Sequence, residues 1–134
     1  MPDASGKPST AGAIAEIEAV IQTYFDGLYE GNVEKLAAAF HPVSHLCCEK
    51  DGDVLDVPRE QWFEMVRNRP SSASRGLARD DRILMIDISG PETAFVKVAC
   101  QIPPRYFTDY LVLNRTREGW KIVSKVYRFD TREG

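Results

Sequence analysis

Cysteine is scarce in this sequence, and its placement rules out a disulfide framework. Of three cysteines, Cys47 and Cys48 are adjacent. In a strand they would point to opposite faces, and pairing would leave one thiol over. A reducing compartment, the cytoplasm, is the expected setting. Long hydrophobic runs are missing too: nothing approaches the roughly 20 apolar residues that span a bilayer. The opening MPDASGKPSTAG is polar and holds no apolar core of a secretory signal. Residues 1–12 are expected as a disordered leader before a single domain, 13–134. A net charge of −3 offers no basic surface for nucleic acid, and no membrane partner is expected either. With no glycine-rich phosphate loop or dinucleotide fingerprint, no cofactor is implied.

What is present is periodic. Ile14, Ile17, Ile21, Tyr24, Phe25 and Leu28 recur at steps of three and four, the stripe of an amphipathic helix. Thr10 suits its start and Gly31 a left-handed stop. Asn32 can cap a short second helix carrying Val33, Leu36, Ala37 and Phe40, which Pro42 should end. SHLCCEK and VLDV then flank the turn signal DGD, and Pro58 suits the first turn of a third helix burying Trp62, Phe63 and Val66. Residues 68–82 are polar and arginine-rich, which fits either a solvated connection or the mouth of a site. From Ile83 the chain reads as four strands with short turns, an antiparallel meander. The order predicts an α+β fold, three N-terminal helices packed on an antiparallel sheet.

Both faces of the late strands carry apolar residues. Strict alternation in the last one sets Trp120, Ile122 and Val126 against Val123, Tyr127 and Phe129. One face can receive the helices; the other would be left in water unless a partner covered it. A homodimer through the convex sheet face, including Trp120 and Ile122, is the expectation.

The stretch His41–Glu49 gathers histidine, cysteine and glutamate. His41 and His45 would suit a metal on a helix, but Pro42 breaks that geometry. On a strand His45, Cys47 and Glu49 share one face, and consecutive same-face residues do not converge on one ion. No metal is expected there. Cys48, on the face of Leu46, fits a small buried apolar residue in a cavity wall better than a nucleophile.

The segments IQTYFDGLYEGNVEKLAAAFHP, FTDYLVL and GWKIVSKVY resemble the nuclear transport factor 2-like superfamily. The match runs from about Ile14 to Phe129 and is nearest to small bacterial proteins labelled putative lumazine-binding, related to polyketide cyclases and steroid isomerases. The resemblance implies a cone-shaped, cystatin-like roll whose curved sheet leaves a pocket at one end. Steroid isomerases of this superfamily build an oxyanion hole from a first-helix tyrosine and a late-strand aspartic acid. Tyr24 and Asp109 fall at those positions. The isomerase's basic carboxylate falls at Cys48, so the group that moves the proton is missing and steroid isomerisation is not expected.

Asp109 sits in an apolar strand, where an unpaired carboxylate is costly. Two readings stay open: an acid donating to a ligand, or a carboxylate paired with Lys97 or Lys125. The leading expectation is a small-molecule binder whose Tyr24 and Asp109 grip one ligand oxygen. Cys48, Trp62, Lys125, Tyr127 and Phe129 would line its walls. The alternatives are a cofactor-free acid–base enzyme using Asp109 with Tyr24 or His45, and an interaction domain with a filled pocket.

Overall fold

The computed structural model describes residues 10–132. Helix α1 (Thr10–Glu30) opens the chain, so residues 10–12, expected in the leader, are already helical; the rest of the leader lies outside the described residues. Its stripe buries Ala13, Ile17, Ile21, Tyr24 and Phe25 completely or nearly so. Each buried isoleucine contributes about 1.5–3 kcal/mol. Ile14, expected in that stripe, stays 36% exposed at the helix edge.

Gly31 ends α1 with φ +66°, and a Cβ there would come within 2.9 Å of Ser71 Cβ. Only glycine meets both demands. The Asn32 side chain then accepts the Lys35 N–H at 3.1 Å and caps α2 (Val33–Ala39). Phe40, expected in this helix, instead begins strand β1 (Phe40–Lys50), and Pro42 lies inside the strand. The reason is that β1 pairs irregularly with the last strand between Phe40 and His45. A residue without an N–H is tolerated where the ladder is interrupted.

Asp51 and Gly52, both at positive φ, turn β1 into β2 (Asp53–Pro58) as DGD predicts. Helix α3 (Arg59–Arg67) buries Trp62, Phe63 and Val66 as expected. The arginine-rich loop that follows is tied to α1. The Tyr29 hydroxyl donates to the Leu77 carbonyl at 2.8 Å, and Arg79 bridges Asp26 and Asp81 at 2.5 and 2.7 Å.

Strands β3 (Arg82–Ser89), β4 (Thr93–Ile102), β5 (Arg105–Thr116) and β6 (Gly119–Thr131) form the meander. The sheet order is β2-β1-β6-β5-β4-β3. All its joints are antiparallel except β1 with β6, which is parallel. Only a long crossover can join parallel neighbours, and the rest of the chain supplies it. The helices pack on the inner face of this curved α+β roll, against Ala94, Val96, Val98, Leu111 and Leu113. Among the described residues no helix is long and apolar enough to cross a membrane.

One irregularity decides the faces of β6. Val112 pairs with Ser124, but Leu113 pairs with Ile122, so Val123 is an extra residue. Such a bulge shifts the alternation by one. Before it Trp120 and Ile122 point inward, 2% and 0% exposed; after it Lys125 and Tyr127 also point inward. Trp120 and Ile122 are therefore core residues, not part of the convex face. That outer face instead presents Tyr110, Val112 and Val126, each more than a third exposed.

Candidate functional site

Inward-facing residues of β6 and β5 reach past the helices and leave a cleft at the open end of the roll. Leu46 on β1 and Val57 on β2 form one wall, with Trp62 and Met65 of α3 across from them. Phe107, Tyr127 and Phe129 complete the aromatic side. The enclosed part of the space is about 110 Å³ and opens directly to solvent. Pockets that enclose a whole small molecule run to roughly 300–1,000 Å³, so an occupant would seat one end here and extend through the mouth.

Lys125 faces this cleft from below. Its ammonium lies 5.1 Å from the Tyr24 ring centre, 4.9 Å from Trp62 and 5.1 Å from Tyr127. Three ring faces around one cation stabilise it. The ammonium donates to the Tyr24 hydroxyl at 2.7 Å, and that hydroxyl donates to Asp109 Oδ2 at 2.5 Å. Lys125 Nζ itself is 3.8 Å from Asp109 Oδ2, a buried ion pair relayed through a phenol. The Cys100 thiol points at the same oxygen from 3.8 Å.

Burial, and then the charge of Asp109, hold the Tyr24 phenol well above its ordinary pKa, so it stays protonated as a donor. Cys100 is raised by the same two causes in the same order. Burial also raises Tyr127, with the neighbouring Cys48 thiol as the next cause.

Tyr24 and Asp109 do come together from positions 85 apart, but not as expected. A shared ligand oxygen would hold their oxygens well apart; instead they bond each other. Both are fully buried, and Lys125 stands between them and the cleft. They lie beneath Lys125 and do not line the cleft. Of the two partners considered for Asp109, Lys125 is the one present; Lys97 lies over the Tyr110 ring, 5.4 Å from its centre.

Trp62, Lys125, Tyr127 and Phe129 line the cleft. Cys48 is buried but borders a separate open hollow with Val126 and Phe129. His45, the weaker candidate for acid–base work, lies on the opposite strand face from Leu46. Its Nδ1 pairs with Asp56 Oδ1 at 2.6 Å, and Cys47 reaches that oxygen at 3.7 Å. Among the described residues, no group of three or more His, Cys, Asp and Glu side chains is arranged to hold a metal ion.

Two charged lining residues went unforeseen. Arg69 follows α3, and Arg105 follows the Pro103–Pro104 turn; both edge the mouth. The arginine richness of residues 68–82 pointed toward the first, while nothing local marked the second.

Comparison with known proteins agrees with this architecture. A nuclear transport factor 2-like protein of unknown function from Shewanella baltica superposes with TM-score 0.83 at 20% identity, over 93% of this chain and 99% of that one. Another from Silicibacter pomeroyi gives 0.77 at 22%, over 92% and 100%. A ketosteroid isomerase-like protein from Erwinia carotovora atroseptica gives 0.67 at 14%, over 88% and 96%. These identities establish the shared fold. No match is found among curated proteins. The family profile described as "Putative lumazine-binding" matches residues 12–128, nearly the whole domain. This chain therefore belongs to that family and has the nuclear transport factor 2-like fold.

Proposed function

We propose that this protein binds a small molecule with a largely apolar or aromatic body in the cleft beneath α3. The observation that carries this reading is an open, aromatic-walled cleft whose innermost cation, Lys125, is already held by Tyr24 and Asp109. A filled pocket would have favoured an interaction domain. The family description, lumazine-binding, agrees with an aromatic occupant. Acid–base catalysis by Tyr24 and Asp109 ranks second, because the two bond each other and are shielded from the cleft.

The neutral fluorophore phenylnaphthylamine tests the reading. Its emission should rise saturably with about one molecule bound per chain. Leu55→Trp should weaken it at least roughly tenfold, since blocking apolar contact area of that size removes more than 1.4 kcal/mol. Leu55 is 41% exposed at the cleft rim, so the larger ring fills the mouth without disturbing the core. Non-saturable binding, or equal binding by the variant, would refute the proposal.

The same reading carries an assembly. The outer face of β5 and β6 sets Tyr110, Val112 and Val126 in solvent, beside Phe95 stacked 6.0 Å from Tyr110. A second copy of the chain on this face would remove that apolar surface from water. Sedimentation at micromolar concentration should then give a dimer, and Val126→Glu a monomer. A wild-type protein that sediments as a monomer contradicts it.

A further inference from the structure

A second hollow adjoins the aromatic cleft, and the two share Leu28, Arg69, Ile102, Arg105 and Phe107. Arg75, Ser71 and Ser72 line its far side. The chain has 20 acidic residues and a net charge of −3, yet no aspartate or glutamate lines either space. Among the described residues, neither Arg69 nor Arg105 has a carboxylate within ion-pair distance. This contrasts with Arg79, which holds two, and with Arg59, Arg67 and Arg128, which hold one each.

Among the described residues Arg75, Arg115, Arg117 and Arg132 hold no carboxylate either, but only Arg69 and Arg105 stand where the two spaces meet. Burial of the Arg69 guanidinium lowers its pKa, and the like charge of Arg105 adds to this. Arg105 in turn lies over the Phe129 ring, its guanidinium carbon 4.8 Å from the ring centre. Both arginines are exposed enough for solvent to screen their repulsion, but two like charges at one junction still favour an anion between them. Lys125 is already balanced by Asp109, so the two arginines are the charges left to meet an incoming anion.

We infer that the ligand is an amphiphilic acid, its apolar or aromatic body in the cleft and an oxyanion held between Arg69 and Arg105. This rests on the cleft-binding reading and adds the charge of the ligand to it. Planar, multi-donor guanidinium groups match carboxylate, sulfonate and phosphate oxygens, and the bonds are charge-assisted. Arg75 is the next cation along the second hollow and lies within the same field.

Two dyes of one aromatic framework separate the inference from its parent. Anilinonaphthalene sulfonate carries the anion; phenylnaphthylamine lacks it. The wild type should bind the sulfonate roughly tenfold or more tightly than the neutral dye, the scale of one good charge-assisted hydrogen bond. Raised ionic strength should narrow the difference. The double variant Arg69→Gln, Arg105→Gln should bring the ratio close to one while keeping the wild-type melting temperature, since neither arginine holds an ion pair. Arg117→Gln, an exposed arginine outside both hollows, removes the same charge and should leave the ratio intact. Equal affinities in the wild type, or a preference that survives in the folded double variant, would overturn the anion site and leave the cleft reading standing. Failure of both dyes to saturate would overturn the cleft reading and this inference together.

Discussion

Replacing Lys125 with methionine should destabilise this protein by about 3 kcal/mol, the lower end of the range for breaking a buried ion pair. The substitution leaves the Asp109 carboxylate fully buried, with Oδ1 already lacking a partner among the described residues. The lower end applies because Lys125 borders the cleft, which lets water reach its position. Asp109→Asn should cost a similar amount from the other side, stranding an ammonium that is 5% exposed. The double variant Lys125→Met, Asp109→Leu removes both charges and should lose clearly less than the two single losses combined. Tyr24→Phe deletes the relay and costs about 1–3 kcal/mol, since it unsatisfies groups on both sides. Urea unfolding measures all four. A Lys125→Met protein within about 1 kcal/mol of wild type would show that the triad is not a buried ion pair in solution.

Stability should also fall in alkali more steeply than surface tyrosines alone would cause. The folded state holds the Tyr24 proton well beyond its ordinary pKa of 10.0. The unfolded chain releases it there, so above that pH the unfolded state binds fewer protons than the folded one. This contribution is complete below pH 10 and is lost as pH rises toward the folded-state value, at about 1.4 kcal/mol per pH unit. Cys100, with an ordinary value of 9.0, acts in the same direction from about one unit lower. Urea midpoints should therefore be level near neutrality and decline from about pH 9. Tyr24→Phe should flatten the upper part of the decline and Cys100→Ala its onset. A wild-type midpoint unchanged to about pH 11 would contradict the burial of both groups.

How far the sequence carried can be judged from particular residues. The Asn32 cap, the DGD turn and the Trp62, Phe63, Val66 face depend on neighbours within one turn, and all three stand as read. Alternation put Lys125, Tyr127 and Phe129 on the cleft side correctly. It put Trp120 and Ile122 on the wrong side, because counting by twos has no place for an unpaired Val123. Pro42 illustrates the same limit. Proline forbids a helix locally, but whether it sits in a turn or in an interrupted strand depended on pairing with β6, some eighty residues away.

The candidate site divides along the same line. Local pattern and family likeness singled out Tyr24 and Asp109, since a phenol in a helix stripe and a carboxylate in an apolar strand are conspicuous by themselves. Whether they would face a ligand or each other depended on where Lys125 came to rest. That depended on a bulge and on three aromatic rings contributed by α1, α3 and β6. Arg69 and Arg105 belong to the tertiary structure as well. One follows a helix and the other follows a hairpin turn, and each is an ordinary surface cation in its own segment. Periodicity within this chain determined its helices, strands and their order, because those arise from neighbours three or four residues apart. The curved sheet decided which charges meet, because Coulomb interactions act over distances in space that the spacing along a chain does not encode.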